Sequence, residues 1–257
     1  MTKRVTSSLG FEIKRAATGG LELRTTLGQS YSHLKKLGAN PKTIFDVGVA
    51  GGTEELYTKF PEAFFMLVEP IESFESDMKA ILKHYTGSYV VAAAGAEAGE
   101  VTFHIHDHAI EGSSLYQETM GEEADGRQVT VPMVTLDEVA EEKKLEGPYL
   151  IKIDVQGAEL DVLEGSTECL KETEIVVLEV SLFEFMKGAP QLHEVVSYMH
   201  KKGFVAFDII PGWNRPLDGA LGQVDIVFVQ ENGRYRQDHS YASLDQVKGL
   251  SSNGQAS

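Results

Sequence analysis

The chain has 257 residues, 42% hydrophobic and 24% charged, which is ordinary globular composition and long enough for one large α/β domain or two small ones. With 39 acidic against 23 basic residues the net charge is −16, a balance that repels phosphate backbones and disfavours nucleic acid as a partner. No apolar run approaches the roughly 18 residues that cross a bilayer and no charged-then-apolar leader opens the sequence, so the expectation is a cytoplasmic protein with no membrane partner.

Residues 1–24 show no sustained period and read as an N-terminal arm. Residues 25–37 place Leu27, Tyr31, Leu34 and Leu37 at helical spacing, and Gly38-Ala-Asn-Pro41 ends that helix. Strand and helix then alternate. Strands are predicted at 43–48, 64–69, 89–94, 149–155, 174–180, 204–210 and 224–230, with helices at 53–59, 71–84, 135–146, 158–171 and 191–203. Runs such as Leu150-Ile-Lys-Ile-Asp-Val155 are nearly all apolar, as strands covered on both faces are. The alternation implies right-handed crossovers and a doubly wound, mostly parallel, seven-stranded α/β sheet whose last strand runs antiparallel. The domain is expected to span 25–236, followed by a polar tail over 237–257. Cys169, the single cysteine, excludes an internal disulfide and falls among helix formers. The pairs Lys35-Lys36, Lys143-Lys144 and Lys201-Lys202 read as solvated helix faces.

One stretch breaks the rhythm. Residues 100–107 and 128–134 alternate like strands with no helix between them, which predicts a small two-strand insertion joined by the polar loop 108–127. His104, His106 and His108 alternate within it. That spacing is compatible with a metal, yet exposed histidines on a hairpin are the simpler expectation, and no metal site is assigned. Trp213 falls in the loop between the last two strands, either packed in the core or over a substrate.

The chemistry concentrates at strand ends. The first strand ends in Asp46-Val-Gly48 and opens into a turn containing Gly51 and Gly52, and the second ends in Glu69, 23 positions after Asp46. This is how an open α/β sheet grips an adenosine ligand: backbone at the turn and a carboxylate on the ribose hydroxyls. The acidic Asp46 suits a ligand with an amino group and a sulfonium better than a pyrophosphate, which favours S-adenosylmethionine over NAD. Small residues ending in Ala94 leave room for a flat base, and Asp107 is a candidate for its amino group. The fourth strand ends at Asp154. In a doubly wound sheet it neighbours the first at about 4.8 Å, so Asp154 sits beside the Gly48 turn. There it is able to hold the ligand's amino group, remove a substrate proton or ligate a metal. Glu179, ending the fifth strand, is a second candidate base.

The set Phe45-Asp-Val-Gly48, Val68-Glu-Pro70, Val134-Thr-Leu-Asp137, Leu150-Ile-Lys-Ile-Asp-Val-Gln-Gly-Ala-Glu159, Leu163-Glu-Gly165, Leu178-Glu-Val180 and Val224-Asp-Ile-Val-Phe-Val229 resembles the FkbM-type methyltransferase family over roughly residues 43–230. The resemblance implies a class I, Rossmann-like, S-adenosylmethionine-dependent fold and O-methylation of a hydroxyl on a sugar, polyketide or other small molecule. Carried over, it assigns Asp46, Gly48 and Glu69 to the cofactor, and Asp154 and Glu159 to the reaction centre. Val49-Ala50 stands where the family commonly has Ala-Asn, and Gln156 where Glu is usual. The alternatives are a nicotinamide-dependent oxidoreductase and a non-catalytic cofactor-binding protein of the same fold. Assembly into homo-oligomers is left open.

Overall fold

The computed structural model describes residues 23–248. All but the last two residues of the expected arm, and the end of the expected tail, lie outside them. Helix α1 (Leu27–Lys36) opens the fold, capped by the Thr26 side chain, which accepts from the Gln29 N–H. Tyr31 and Leu34 are fully buried, whereas Leu37 lies past the last turn and is 47% exposed. There follow β1 (Thr43–Val47), α2 (Glu54–Lys59), β2 (Phe64–Val68), α3 (Glu75–Ile81) and β3 (Gly87–Val90). Next come β4 (Ala93–Ala94), β5 (Gly99–Ile105), α4 (Glu122–Asp125) and β6 (Arg127–Val134). The chain continues through α5 (Leu136–Lys143), β7 (Tyr149–Ile153), α6 (Glu159–Glu164), α7 (Thr167–Lys171), β8 (Thr173–Ser181), α8 (Leu192–Lys201), β9 (Phe204–Pro211) and β10 (Gln223–Gln230).

The main sheet has the order β3-β2-β1-β7-β8-β10-β9. Its pairs are parallel except that β10 runs antiparallel to both β8 and β9, as expected for the last strand. Side-chain alternation divides the core into two layers. Phe45, Val47, Ile151 and Ile153 pack with α5 to α8, while Ile44, Phe65, Leu67 and Leu150 pack with α1, α2 and α3. The winding direction changes between β1 and β7, which sets a crevice at the ends of those strands.

Two element assignments are corrected. The expected strand 89–94 divides: Tyr89 and Val90 end β3, but Ala93 and Ala94 pair in parallel with Met133 and Val134 of β6. The insertion is thus a three-stranded sheet, β4-β6-β5, with its own core of Ile71, Phe103, Ile105 and Val131. The expected helix 158–171 is two helices broken at Gly165-Ser166. The carboxylate of Asp137 accepts the N–H groups of Glu168 (2.9 Å) and Cys169 (2.8 Å), giving α7 a start of its own. Among the described residues no helix is long and apolar enough to cross a membrane.

Candidate active site

The turn after β1 is locked to the end of β7. The Asp154 N–H donates to the Val47 carbonyl (3.0 Å), and the Gly48 N–H to the Val68 carbonyl (2.9 Å), so three strand ends are laced together. Gly48 has φ +75°, and a Cβ at that position would stand 1.8 Å from the Asp154 carbonyl oxygen. Only glycine fits there. Two residues later Ala50 also adopts a positive φ, +42°, which turns its N–H onto Glu69 Oε2 at 3.0 Å. The other oxygen, Glu69 Oε1, accepts from the Ile71 N–H at 3.0 Å. Glu69 is 4% exposed; burial raises its pKa, against the pull of those two amides. Two N–H donors fix the carboxylate while leaving it lone pairs for a ligand.

A cavity of about 330 Å³ opens on this turn. It is lined by Gly48, Gly51, Gly52, Glu69, Ala94, Asp154 and Glu179, all expected at the site, and by apolar residues that include Ile71, Phe74, Phe103, Ile110 and Leu115. The insertion therefore forms one wall.

Beneath the turn lies a charged cluster. Lys152, 7% exposed, places Nζ 3.3 Å from the Gly48 carbonyl, 3.4 Å from Asp154 Oδ2 and 3.5 Å from Asp46 Oδ1. Burial alone would lower the lysine pKa, but Asp154, Asp46 and Glu179 outweigh it and raise it above its ordinary value, so Nζ stays charged. Gln156 Nε2 bridges two carboxyl groups, donating to Asp154 Oδ1 (2.9 Å) and Glu179 Oε2 (2.6 Å). Glu179 is pushed up to about 9, by burial first and then by Asp154 and Asp225. Asp225 is pushed up to about 6, again by burial first and then by Asp154.

Lys152 was missed by sequence reasoning, although a signal existed. It lies in register opposite Asp46, and both have the parity of Leu150 and Ile44, so the two charges share one face of the sheet.

Several of the expected residues lie elsewhere than on the cavity wall. Asp46 does not line the cavity: it is fully buried and accepts from the Tyr57 hydroxyl (2.5 Å) and Thr53 Oγ1 (3.3 Å). The strand pleat points it toward α2, where it anchors the turn from below. Glu159 does not line it either. Buried, it accepts the N–H groups of Val155 (3.2 Å) and Gly157 (3.0 Å), capping the loop behind Asp154, and burial pushes it up to about 7. Asp107 is exposed and paired with Arg127 at 3.1 Å, away from the cavity. His104 and His106 are buried rather than exposed, His104 Nδ1 lying 2.9 Å from Asp125 Oδ2, and His108 is exposed. Among the described residues no three His, Cys, Asp or Glu side chains converge as a metal site.

The family described as Methyltransferase FkbM domain matches residues 46–206, well over half the chain and including the turn, Lys152, Asp154, Gln156 and Glu179. The chain belongs to the FkbM methyltransferase family. Over 52 residues it is 35% identical to hexuronic acid methyltransferase AglP of Haloferax volcanii, a match covering 20% of this chain and 22% of that relative. Magnesium protoporphyrin IX methyltransferase from Synechocystis, solved with bound S-adenosylmethionine, superposes with a TM-score of 0.45 at 8% identity, over 79% of this chain and 76% of that one. Fibrillarin from Aeropyrum pernix, with the same molecule bound, gives 0.43 at 10% identity, over 78% and 74%.

In this FkbM methyltransferase the two departures from the usual motif, Ala50 and Gln156, are both non-glycine residues at positive φ, +42° and +55°. The insertion ties down the second, because Ser114 Oγ donates to the Gln156 carbonyl at 2.8 Å. A second cavity of about 420 Å³ adjoins the first and shares Ile110, Glu111, Gln156 and Glu179 with it. Its far side includes Trp213, which stacks on Phe185 (5.5 Å between centroids, 23° between planes) and is 45% exposed rather than in the core.

Proposed function

We propose that the chain transfers a methyl group from S-adenosylmethionine to a hydroxyl of a small, sugar-like or polyketide-like acceptor, with the donor in the first cavity and the acceptor in the second. The observation that carries this reading is that two adjoining cavities share a wall made of Gln156 and Glu179, with Asp154 opening on the first. The donor's fit rests on the Glu69 carboxylate, which its two amides aim without exhausting its acceptor capacity for ribose hydroxyls. The apolar patch of Ile71, Phe74, Phe103 and Ile110 suits a flat purine. When bound, the donor supplies the electrophilic methyl. The chain's own residues orient both reactants and take up the acceptor's proton. Asp154 is the base in this reading, held beside the Gly48 turn by Lys152 and Gln156. The sugar-like acceptor draws support from the relative's name, hexuronic acid methyltransferase, over the short stretch the two share.

Asp46 does not by itself favour S-adenosylmethionine over NAD. Lys152 offsets the charge of Asp46, so repulsion of a pyrophosphate no longer follows from that residue, and the preference rests on family membership instead. Calorimetric titration with S-adenosylhomocysteine and with NAD tests it directly: saturable heat for the nucleoside alone is expected, and heat for NAD alone would reverse the assignment. Asp154→Asn should keep nucleoside affinity within a few-fold and lower turnover by roughly 10²–10⁴. Full turnover in that variant, measured by methyl transfer from labelled donor, would remove Asp154 as the base.

A further inference from the structure

We infer that Asp154, Gln156 and Glu179 form a proton store governed by the charge on the donor's sulfur, releasing a proton when the sulfonium form binds and recovering one as the methyl leaves. The inference rests on the methyl-donor reading above. Its basis is a cluster on two neighbouring strands. Asp154 follows β7, Glu179 lies on β8, both line the donor cavity, and a single amide, Gln156 Nε2, bonds to both. The groups facing Glu179 are Asp154 and Lys152 from the β7 side and Asp225 from β10, with Glu111 of the insertion on the same cavity wall. One buried ammonium thus serves several carboxyl groups. With no further cation facing it among the described residues, the cluster meets the shortfall by raising the proton affinity of Glu179, through burial first and then Asp154 and Asp225. A sulfonium entering the same cavity is the missing cation.

The step balances. The carbon–sulfur bond breaks with its electron pair returning to sulfur, which becomes a neutral thioether, and the oxygen–carbon bond forms. The acceptor's hydroxyl proton enters the cluster, which had one vacancy and which, with the sulfonium gone, again favours the protonated state. The next donor expels that proton to solvent. Conversion of cation to thioether also removes the attraction that holds the donor, so the spent nucleoside leaves more readily than the donor does.

Counting protons during binding tests this without any acceptor. Calorimetric titrations of the whole chain in two buffers of different ionisation heat, at about pH 7.5, give the protons released on binding S-adenosylmethionine and S-adenosylhomocysteine. Wild type should release roughly one more proton for the sulfonium form. The same difference in Glu179→Gln should shrink to that of the ligands themselves, so comparing the two proteins cancels the ligands' amino groups. Equal differences in wild type and variant would overturn the inference and leave the donor reading intact; failure of either nucleoside to bind would instead sink the donor reading. A wild-type measurement stands beside it in case the variant misfolds. With each ligand's own amino titration measured and subtracted, affinity for the sulfonium form should rise up to about tenfold per pH unit relative to the thioether as pH approaches about 9. Parallel pH curves for the two would overturn the inference equally.

Discussion

The turns after β1 and β7 are built alike and used differently. Each follows a fully buried strand, bends through a non-glycine residue at positive φ (Ala50, Gln156), and turns backbone N–H toward a glutamate, one group in the first and two in the second. In the first turn the glutamate, Glu69, comes from the neighbouring strand and lines the first cavity. In the second it is Glu159, from the following helix, and it is walled off from the cavity. The same backbone device therefore aims a carboxylate at the cavity when that carboxylate arrives from across the sheet, and makes a rigid bracket when it is local. What the second turn presents to the cavity is Asp154 and the Gln156 amide, and the bracket keeps them there.

The strongest way to break the pair is at their point of contact. Gly48→Ala sets a methyl against the Asp154 carbonyl in a left-handed backbone, with no flexible side chain to give way. Loss of about 3–5 kcal/mol is expected, read as a fall in the urea midpoint at unchanged slope. A loss under about 1 kcal/mol would mean that the two turns do not hold each other.

Exchanging the two glutamates separates reading from bracing. Under the proposed donor reading, Glu69→Gln removes a charged acceptor for the ribose hydroxyls and should weaken nucleoside binding roughly 10- to 100-fold, measured by calorimetry. Glu159→Gln should leave that affinity unchanged and act on stability, since its carbonyl oxygen still accepts from the two N–H groups. The sign follows from burial. The folded-state pKa, about 7, lies above the ordinary carboxyl range, so the wild type loses stability as pH rises through 7 and the group must ionise while buried. The variant escapes that loss, so its Tm relative to wild type should improve from about pH 5 to about pH 8. A variant whose Tm difference does not change with pH would show that Glu159 is already solvated.

The contrast between the turns also shows what the sequence made legible. Strand ends, glycines and the acidic pairing with Glu69 were readable because each leaves a mark at fixed spacing in a periodic apolar run. The inward direction of Asp46 was readable in principle, since strand parity puts it with Ile44 under α2, where Tyr57 waits. A strand-end acid beside a glycine turn has the same sequence form whether it faces a ligand or the helix below, so parity alone separates the two. The role of Glu159 was not readable, because a helix-starting glutamate looks the same whether it faces the cavity or folds back on its own loop. The transfer of Ala93 and Ala94 to the insertion sheet was hidden for a different reason. Their partners, Met133 and Val134, are some 40 residues away, and nothing local distinguishes a strand that continues from one that changes sheets.

The smallest expected effect sharpens the comparison most finely. At Ala50 the left-handed backbone is unfavourable by about 1 kcal/mol for an L side chain, and glycine would relieve it while adding freedom to the unfolded chain. Ala50→Gly should therefore raise stability by between zero and about 1 kcal/mol and leave nucleoside affinity unchanged, because the N–H that grips Glu69 is retained. Gln156→Gly relieves the same kind of strain but deletes the amide that bridges Asp154 and Glu179. The protonated Glu179 carboxyl would then have to serve Asp154 alone, with the amide's two bonds lost, and the variant should be less stable than wild type in spite of the easier backbone. If both glycine variants gained stability equally, the Gln156 side chain would be a spectator, and the two turns would differ only in where their glutamates come from.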